Sequence, residues 1–349
     1  MRQLDLLIPG LLGPVPDVEA AAALLPDMPA LARWLARADA MASEPSEMER
    51  ELCIAGFGLS PDAHVGLAAL ARHGEEPVPS ENRAPAWIRL DPLHLRVDMT
   101  HARAFGAPML ALTREEADAL VATINGHLDA EGITVEAPVP DRWYVALAEV
   151  PDLITHTPSE VAGRNIDHFL PRGKEGPYWR RLMNELQMLL YDHPVNVARR
   201  AQGQLPVNSV WPWGAGALPP MPPSRPPPAR VLADEPIARG LANLSGSKVA
   251  ALPDRLDETA VAATGRTLLV DTGIRDPLVH GEAEGWLAGL ADVEARWLAP
   301  ALECLRAATL DRLVLHTASS RIYPLSRRSL RYRFWRRERA LSERLEGEG

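Results

Sequence analysis

Eleven consecutive residues, Leu218 to Pro228 (LPPMPPSRPPP), hold seven prolines. Proline has no amide hydrogen and a fixed φ, so neither a helix nor a central strand can pass through such a run. The chain must be assembled from elements on either side of a stiff, extended surface connector. A docking motif for a proline-reading protein partner is the alternative reading of the same stretch. With 349 residues, the chain has room for two structural units.

Local patterns place the elements. Leu4 to Ile8 is a short apolar run stopped by Pro9-Gly10, as a buried strand is. Val18 to Ala42 reads as helix interrupted by Pro26 and Pro29, and Met48 to Gly56 as a helix capped by Ser46. From Pro61 the texture changes. Leu93, Leu95 and Val97 alternate with His94, Arg96 and Asp98, the period of a half-buried strand. Thr113 opens a helix with Glu115 and Glu116 in its first turn, and strands are predicted at Ile133–Val135 and Trp143–Leu147. Tyr178 to Tyr191 is amphipathic, with Leu182, Leu186 and Leu189 along one side. His193-Pro194 interrupts it, and a shorter helix through Arg199 and Arg200 ends at Gly203. Val207 to Trp213 is expected to return to the core sheet. Thr267–Asp271 and Leu313–Thr317 are further strands, and Glu284 to Leu310 is a helix kinked or broken at Pro300.

The balance of side chains narrows the partners. A formal charge of −9 opposes general nucleic-acid binding, which rewards clustered Lys and Arg. Cys53 and Cys304 are too few and too far apart for a disulfide framework or a thiolate zinc cluster, and read as buried thiols. The opening apolar run is too short for a secretory signal, and no stretch approaches a membrane-spanning length, so a cytoplasmic protein without a membrane partner is expected.

The most distinctive passage is His193-Pro194-Val195-Asn196, then Arg199, Gly203 and Asn208, then Trp213-Gly214-Ala215-Gly216. An arginine can grip a phosphate or carboxylate through two bonds, and a glycine loop lets amide N–H groups approach an anion. A helix hinge with ordinary turn glycines is the plainer account of the same residues. The run HPVN-x2-R-x3-G-x4-N-x5-GAG resembles archaeal-type cofactor-independent phosphoglycerate mutases. The longer run WRRLMNELQMLLYDHPVNVARR…LPVNSVWPWGAG, with RWY, VAGRNID and the terminal FWRR, is similar to bacterial RpfE-type regulatory, phosphoglycerate-mutase-like proteins.

That resemblance implies an α/β, alkaline-phosphatase-like three-layer core: a mostly parallel sheet between helices, with an inserted α+β domain. Residues 1–60 and 205–325 would form the discontinuous core and 61–204 the inserted domain with a helical hairpin. Residues 218–228 would form the linker and 326–349 a basic C-terminal tail. Active members of that superfamily bind two divalent metals through Asp and His and pass a phosphoryl group through Ser or Thr, the metals stabilising the attacking and leaving oxygens. Carried onto this chain, the resemblance points to Asp276, His280 and His316 as metal ligands. Ser46, or Ser43, stands near the nucleophile's place, although Ser46 has a second account as a helix cap. His193, Asn196, Arg199, Asn208, Gly214 and Gly216 would be an anion-binding set. The set departs from the family pattern: Val279 stands for a glycine, Leu315 for an aspartate, and Pro9 for the aspartate that ends the first strand.

Two further groups contain ligand-type side chains. Asp91, His94, Asp98 and His101 fall within eleven positions, but in a strand only His94 and Asp98 point the same way, and outward-facing polar residues explain them without a metal. The tail interleaves Arg327, Arg328, Arg331, Arg333, Arg336, Arg337 and Arg339 with Tyr332, Phe334 and Trp335. Such a segment can bind single-stranded nucleic acid or an anionic membrane. The preferred expectation is a docking segment whose aromatics pack on the acidic body. Taken together, the expectation is a mutase-like protein with a degenerate metal site that needs no cofactor and acts as a regulatory or phosphorylated-metabolite-binding protein. The alternative is an active phosphomutase or phosphatase that uses Mn or Mg through an altered ligand set.

Overall fold

A computed structural model describes residues 1–13, 24–43, 47–61, 64–77, 83–97, 102–220, 225–261, 264–279 and 281–345. In chain order its strands are β1 (Arg2–Leu7), β2 (Met41–Ala42), β3 (Ala86–Val97), β4 (Ala102–Phe105), β5 (Val135–Val139), β6 (Arg142–Leu147), β7 (Ser209–Gly216), β8 (Arg230–Ala233), β9 (Lys248–Ala250), β10 (Gly265–Val270), β11 (Arg312–His316) and β12 (Arg321–Ser326). The chain separates into one unit of Met1–Asp62 with Pro220–Gly349 and a second of Ala63–Pro219.

The first unit is built on a sheet in the order β2-β12-β11-β1-β10-β8-β9. The run from β11 to β9 is parallel, while β12 and β2 are antiparallel additions. Alternation along the strands sends Leu4, Leu6, Leu232, Leu269, Leu313 and Leu315 to one face, where Trp34, Trp286, Trp297 and their helices complete the core. The other face carries Leu268, against which Gly56 of the helix Met48–Gly56 packs. This is the layered, parallel-rich α/β architecture expected.

The helix Pro29–Arg37 starts at Pro29 instead of breaking there, since a first-turn residue has no amide bond to lose. Its first turn is closed from far away: Ala30 N and Leu31 N donate to the Glu294 carboxylate at 2.6 and 3.1 Å. Glu294 lies in a π turn, Glu294–Leu298, joining the helices Ala283–Val293 and Ala299–Arg306. The wider turn accommodates Pro300 without the predicted break.

The second unit contains an antiparallel sheet, β4-β3-β6-β5, with β7 paired to β3. Helices Arg114–Leu128 and Gly176–Tyr191 cover one face through Leu120, Ile124, Trp179, Leu182 and Leu186 against Ile88, Leu90, Trp143 and Val210. Thr113 starts the first of these as expected, and caps it reciprocally with Glu116. In the second, Leu189 is half-buried and Leu190 is the buried member of the stripe.

Two assignments need correcting. Val207–Trp213 does not return to the core sheet: β7 lies antiparallel to β3, with Trp211 opposite Asp91 and Ser209 opposite Leu93. Residues 205–219 therefore belong to the second unit, not the core. The tail aromatics also do not pack inward. Leu330 and Leu341 enter the core, while Tyr332, Phe334 and Trp335 are 54%, 72% and 69% exposed. The described part of the 218–228 connector contains neither helix nor strand.

Candidate functional site

In the first unit, β1, β10 and β11 end side by side, with Leu7 in register with Val270 and His316. Two cross-links continue the alignment past the strand ends: Ile8 N donates to His316 O (2.9 Å) and Asp271 N to Leu7 O (3.0 Å). The carboxyl ends of parallel strands are where sites form in sheets of this kind. At this edge β1 offers Pro9, β10 offers Asp271 and β11 offers His316.

Each polar side chain there has a partner. Asp271 Oδ1 accepts from Gly273 N (2.9 Å) and Oδ2 from Trp297 Nε1 (2.5 Å). His316 Nδ1 lies 2.8 Å from Glu51 Oε1, and both side chains are buried. Glu49, one helical step away, takes both arms of Arg275 at 2.9 and 3.1 Å. Burial pushes the Arg275 guanidinium down, but Glu49, Asp276 and Glu47 together outweigh it and hold the group above its ordinary value. Burial, reinforced by Glu49 and Glu235, pushes the Cys53 thiol up to about 12, so it is no nucleophile. Burial likewise raises Glu235 to about 7, against the pull of the Ala238 and Ile237 amides that it caps.

At this edge Pro9 has no side-chain donor and Arg275 brings a fixed positive charge to the buried Glu49. His316 has one ring nitrogen engaged by Glu51, an arrangement that metal-ligating histidines also show. Asp276 is an exposed residue on the short helix Arg275–Val279. Among the described residues no group of three or more His, Cys, Asp or Glu side chains is arranged to hold a metal ion. His280 and Ser46 lie outside the described residues; the position before the helix at Met48 is Glu47, which makes no side-chain cap. Sequence reasoning overlooked Glu49 and Glu51. Their signal was acids at the start of a largely apolar helix, spaced so that they fall on different sides of it and at least one meets the packed interior.

The proposed anion-binding set falls in the second unit and is tied up in structure. Asn196, fully buried, donates to Leu190 O and Val207 O (2.7 Å each) and accepts from Val207 N (2.8 Å). Arg199, 2% exposed, reaches Leu205 O (2.8 Å), Glu116 Oε2 (2.7 Å) and Leu110 O. His193 Nδ1 caps the helix Pro194–Ala201 by accepting from Val195 N, and its Nε2 meets Thr123 Oγ1 at 3.0 Å. Asn208 pairs both ways with the Leu95 backbone, as a neighbouring strand would. Gly216 lies against Gly66: a Cβ added to Gly66 would stand 2.3 Å from the Gly216 carbonyl carbon. Gly214 has φ +68° and donates to Thr155 Oγ1 (3.2 Å). The glycines serve close backbone packing, and the Arg199 guanidinium is sealed from solvent. The pocket expectation gives way to a clamp.

The acid and histidine group of β3 is also dispersed. Asp91 is buried against Arg89 and Trp213 Nε1 (2.7 Å), whereas His94 Nδ1 turns to Pro206 O (2.9 Å). Asp98 and His101 lie outside the described residues.

No family model matches the chain. It is 32% identical over 110 residues to a 2,3-bisphosphoglycerate-independent phosphoglycerate mutase of Methanosarcina mazei, covering 31% of this chain and 28% of that protein. The protein of the same description from Methanosarcina barkeri is 30% identical over 131 residues, covering 37% of this chain and 33% of its own length. The matches thus span a third or less of these relatives. Among solved structures, the PH0037 protein from Pyrococcus horikoshii shares the fold over 93% of this chain and 87% of its own, with a TM-score of 0.55 and 15% identity.

Proposed function

We propose, starting from this chain's distant homology to cofactor-independent phosphoglycerate mutases, that it is a mutase-like protein whose metal centre has been replaced by ion pairs. On this reading it works as a regulatory or phosphorylated-metabolite-binding protein of RpfE type. The observation that carries the proposal is the sheet edge itself. A two-metal site needs several carboxylates left without internal cations, so that the ions supply the positive charge. Here Arg275 supplies it to Glu49, His316 engages Glu51, and a proline follows β1 where a carboxylate would be needed. The relatives' names supply the ligand class: a phosphorylated three-carbon acid is the first compound to try.

The test is metal analysis of the purified full chain together with a coupled assay for interconversion of 2- and 3-phosphoglycerate in added Mn. The expected result is less than stoichiometric metal, no turnover, and a calorimetric binding signal for the phosphorylated acid that added metal does not change. Stoichiometric Mn or Zn with turnover abolished by Asp276→Ala would overturn the proposal in favour of an active enzyme with an altered ligand set.

A further inference from the structure

After β12 the chain forms a short helix, Arg327–Tyr332, and then a turn closed by Arg336 N donating to Arg333 O (3.1 Å). Phe334 and Trp335 occupy the two central positions of that turn, where small polar residues are usual, and their rings meet edge to face at 5.7 Å. The turn is held at both ends. Arg333 pairs with Asp39 (2.6 Å) and donates to Arg37 O, and Arg336 donates to Ala38 O. Glu338 takes Arg33 and Arg37, and Leu330 and Leu341 are buried in the core on either side. The segment is therefore fixed while its three aromatics stay in water. Around them, seven arginines and one glutamate lie between residues 327 and 339. Arg327, Arg328, Arg331 and Arg339 are exposed, and none makes an ion pair with a described residue.

Arginines paired with body acids would make this a simple docking segment, but four make no ion pair with a described residue and the large apolar side chains are exposed. We infer that residues 327–339 form a surface that seats on an anionic lipid bilayer, with Phe334 and Trp335 entering the headgroup layer and the arginines lying against lipid phosphates. Aromatic side chains favour that depth, and each basic residue near an anionic surface adds attraction that salt weakens. A nucleic-acid strand shares the phosphate chemistry but fits less well. Single-strand binders line a groove that tracks the backbone, whereas these rings project from a turn.

The experiment is co-sedimentation of the full chain with vesicles of phosphatidylcholine alone and of phosphatidylcholine mixed with phosphatidylglycerol, at low and high salt. Binding to the anionic vesicles is expected to exceed binding to the neutral ones about tenfold and to fall with salt. The double substitution Phe334→Ser/Trp335→Ser and the triple reversal Arg327→Glu/Arg328→Glu/Arg331→Glu are each expected to remove it. All five side chains are exposed, so both variants should melt with the parent chain, and they probe the two halves of the surface separately. Equal sedimentation with both vesicle types, or unchanged binding in both variants, overturns the inference. So does a single-stranded RNA oligomer that binds the patch more tightly than the anionic vesicles and displaces them.

Discussion

The clamp around Arg199 in the second unit and the sheet edge around Arg275 in the first both pair an arginine with a glutamate away from open solvent, yet they handle charge differently. Arg199 has one acid partner and spends its other donors on backbone carbonyls, joining the helix Pro194–Ala201 to the segments at Leu110 and Leu205. Arg275 gives both arms to one buried carboxylate, with a second acid–histidine pair beside it. The first arrangement fixes backbone geometry; the second neutralises charge gathered at strand ends. The same pair of residue types thus serves as a mechanical joint in one unit and as a balanced set of charges in the other.

Substitutions can break this contrast. Arg199→Ala should have the largest effect, because it strands Glu116 and two carbonyls; a loss of about 3–5 kcal/mol is expected in denaturant melts of the second unit's signal. A loss below about 1 kcal/mol would mean the clamp is not structural. Arg275→Ala leaves Glu49 buried without its main cation and should lower stability by about 2–4 kcal/mol, recovered in part by Arg275→Ala/Glu49→Gln, which removes the stranded charge. If the double variant is no better than the single, charge neutralisation is not what Arg275 does.

Glu235 gives a pH-dependent effect. Its carboxyl, raised from 4.5 to about 7 when folded, keeps its proton after the unfolded chain has lost its own. Its contribution is therefore fully present below about pH 4.5 and is lost as pH rises through about 7. Glu235→Gln should flatten the stability profile across that window, a change of about 2–3 kcal/mol read from melts at several pH values. Asp276→Ala is expected to matter least, within about 0.5 kcal/mol and with no change on adding Mn, because the residue is exposed. A Mn-dependent rise in melting temperature, lost in this variant, would put the ion back at the sheet edge.

Elements with strong local signals were legible in the chain: the apolar run stopped at Pro9, the helix start at Thr113, the amphipathic helix from Tyr178 to Tyr191 and the strand through Leu268. β8 and β9 are only four and three residues long and carry no readable period. β12 was hidden by Pro324, which is tolerated because β2 pairs with β12 only at Arg321 and Ile322 and no amide is needed there. The candidate site was less legible still. Glu49 meets Arg275 across 226 positions and Glu51 meets His316 across 265, and no local pattern reports such pairings. The arginine and glycines after His193 looked like ligand chemistry because a guanidinium that binds carbonyls and one that binds phosphate are the same side chain. Only burial and partners separate them.

The sheet order also bears on how the molecule is made. β1 sits between β10 and β11, so it is made well before both neighbours, gaining the first only with residues 265–270 and the second with residues 312–316. The second unit, Ala63 to Pro219, contains all of its own strand pairings and can close while synthesis continues. During that interval the nascent chain carries a finished insert and a naked apolar strand together, which sets a minimum time for which the opening segment must be kept from pairing with other chains.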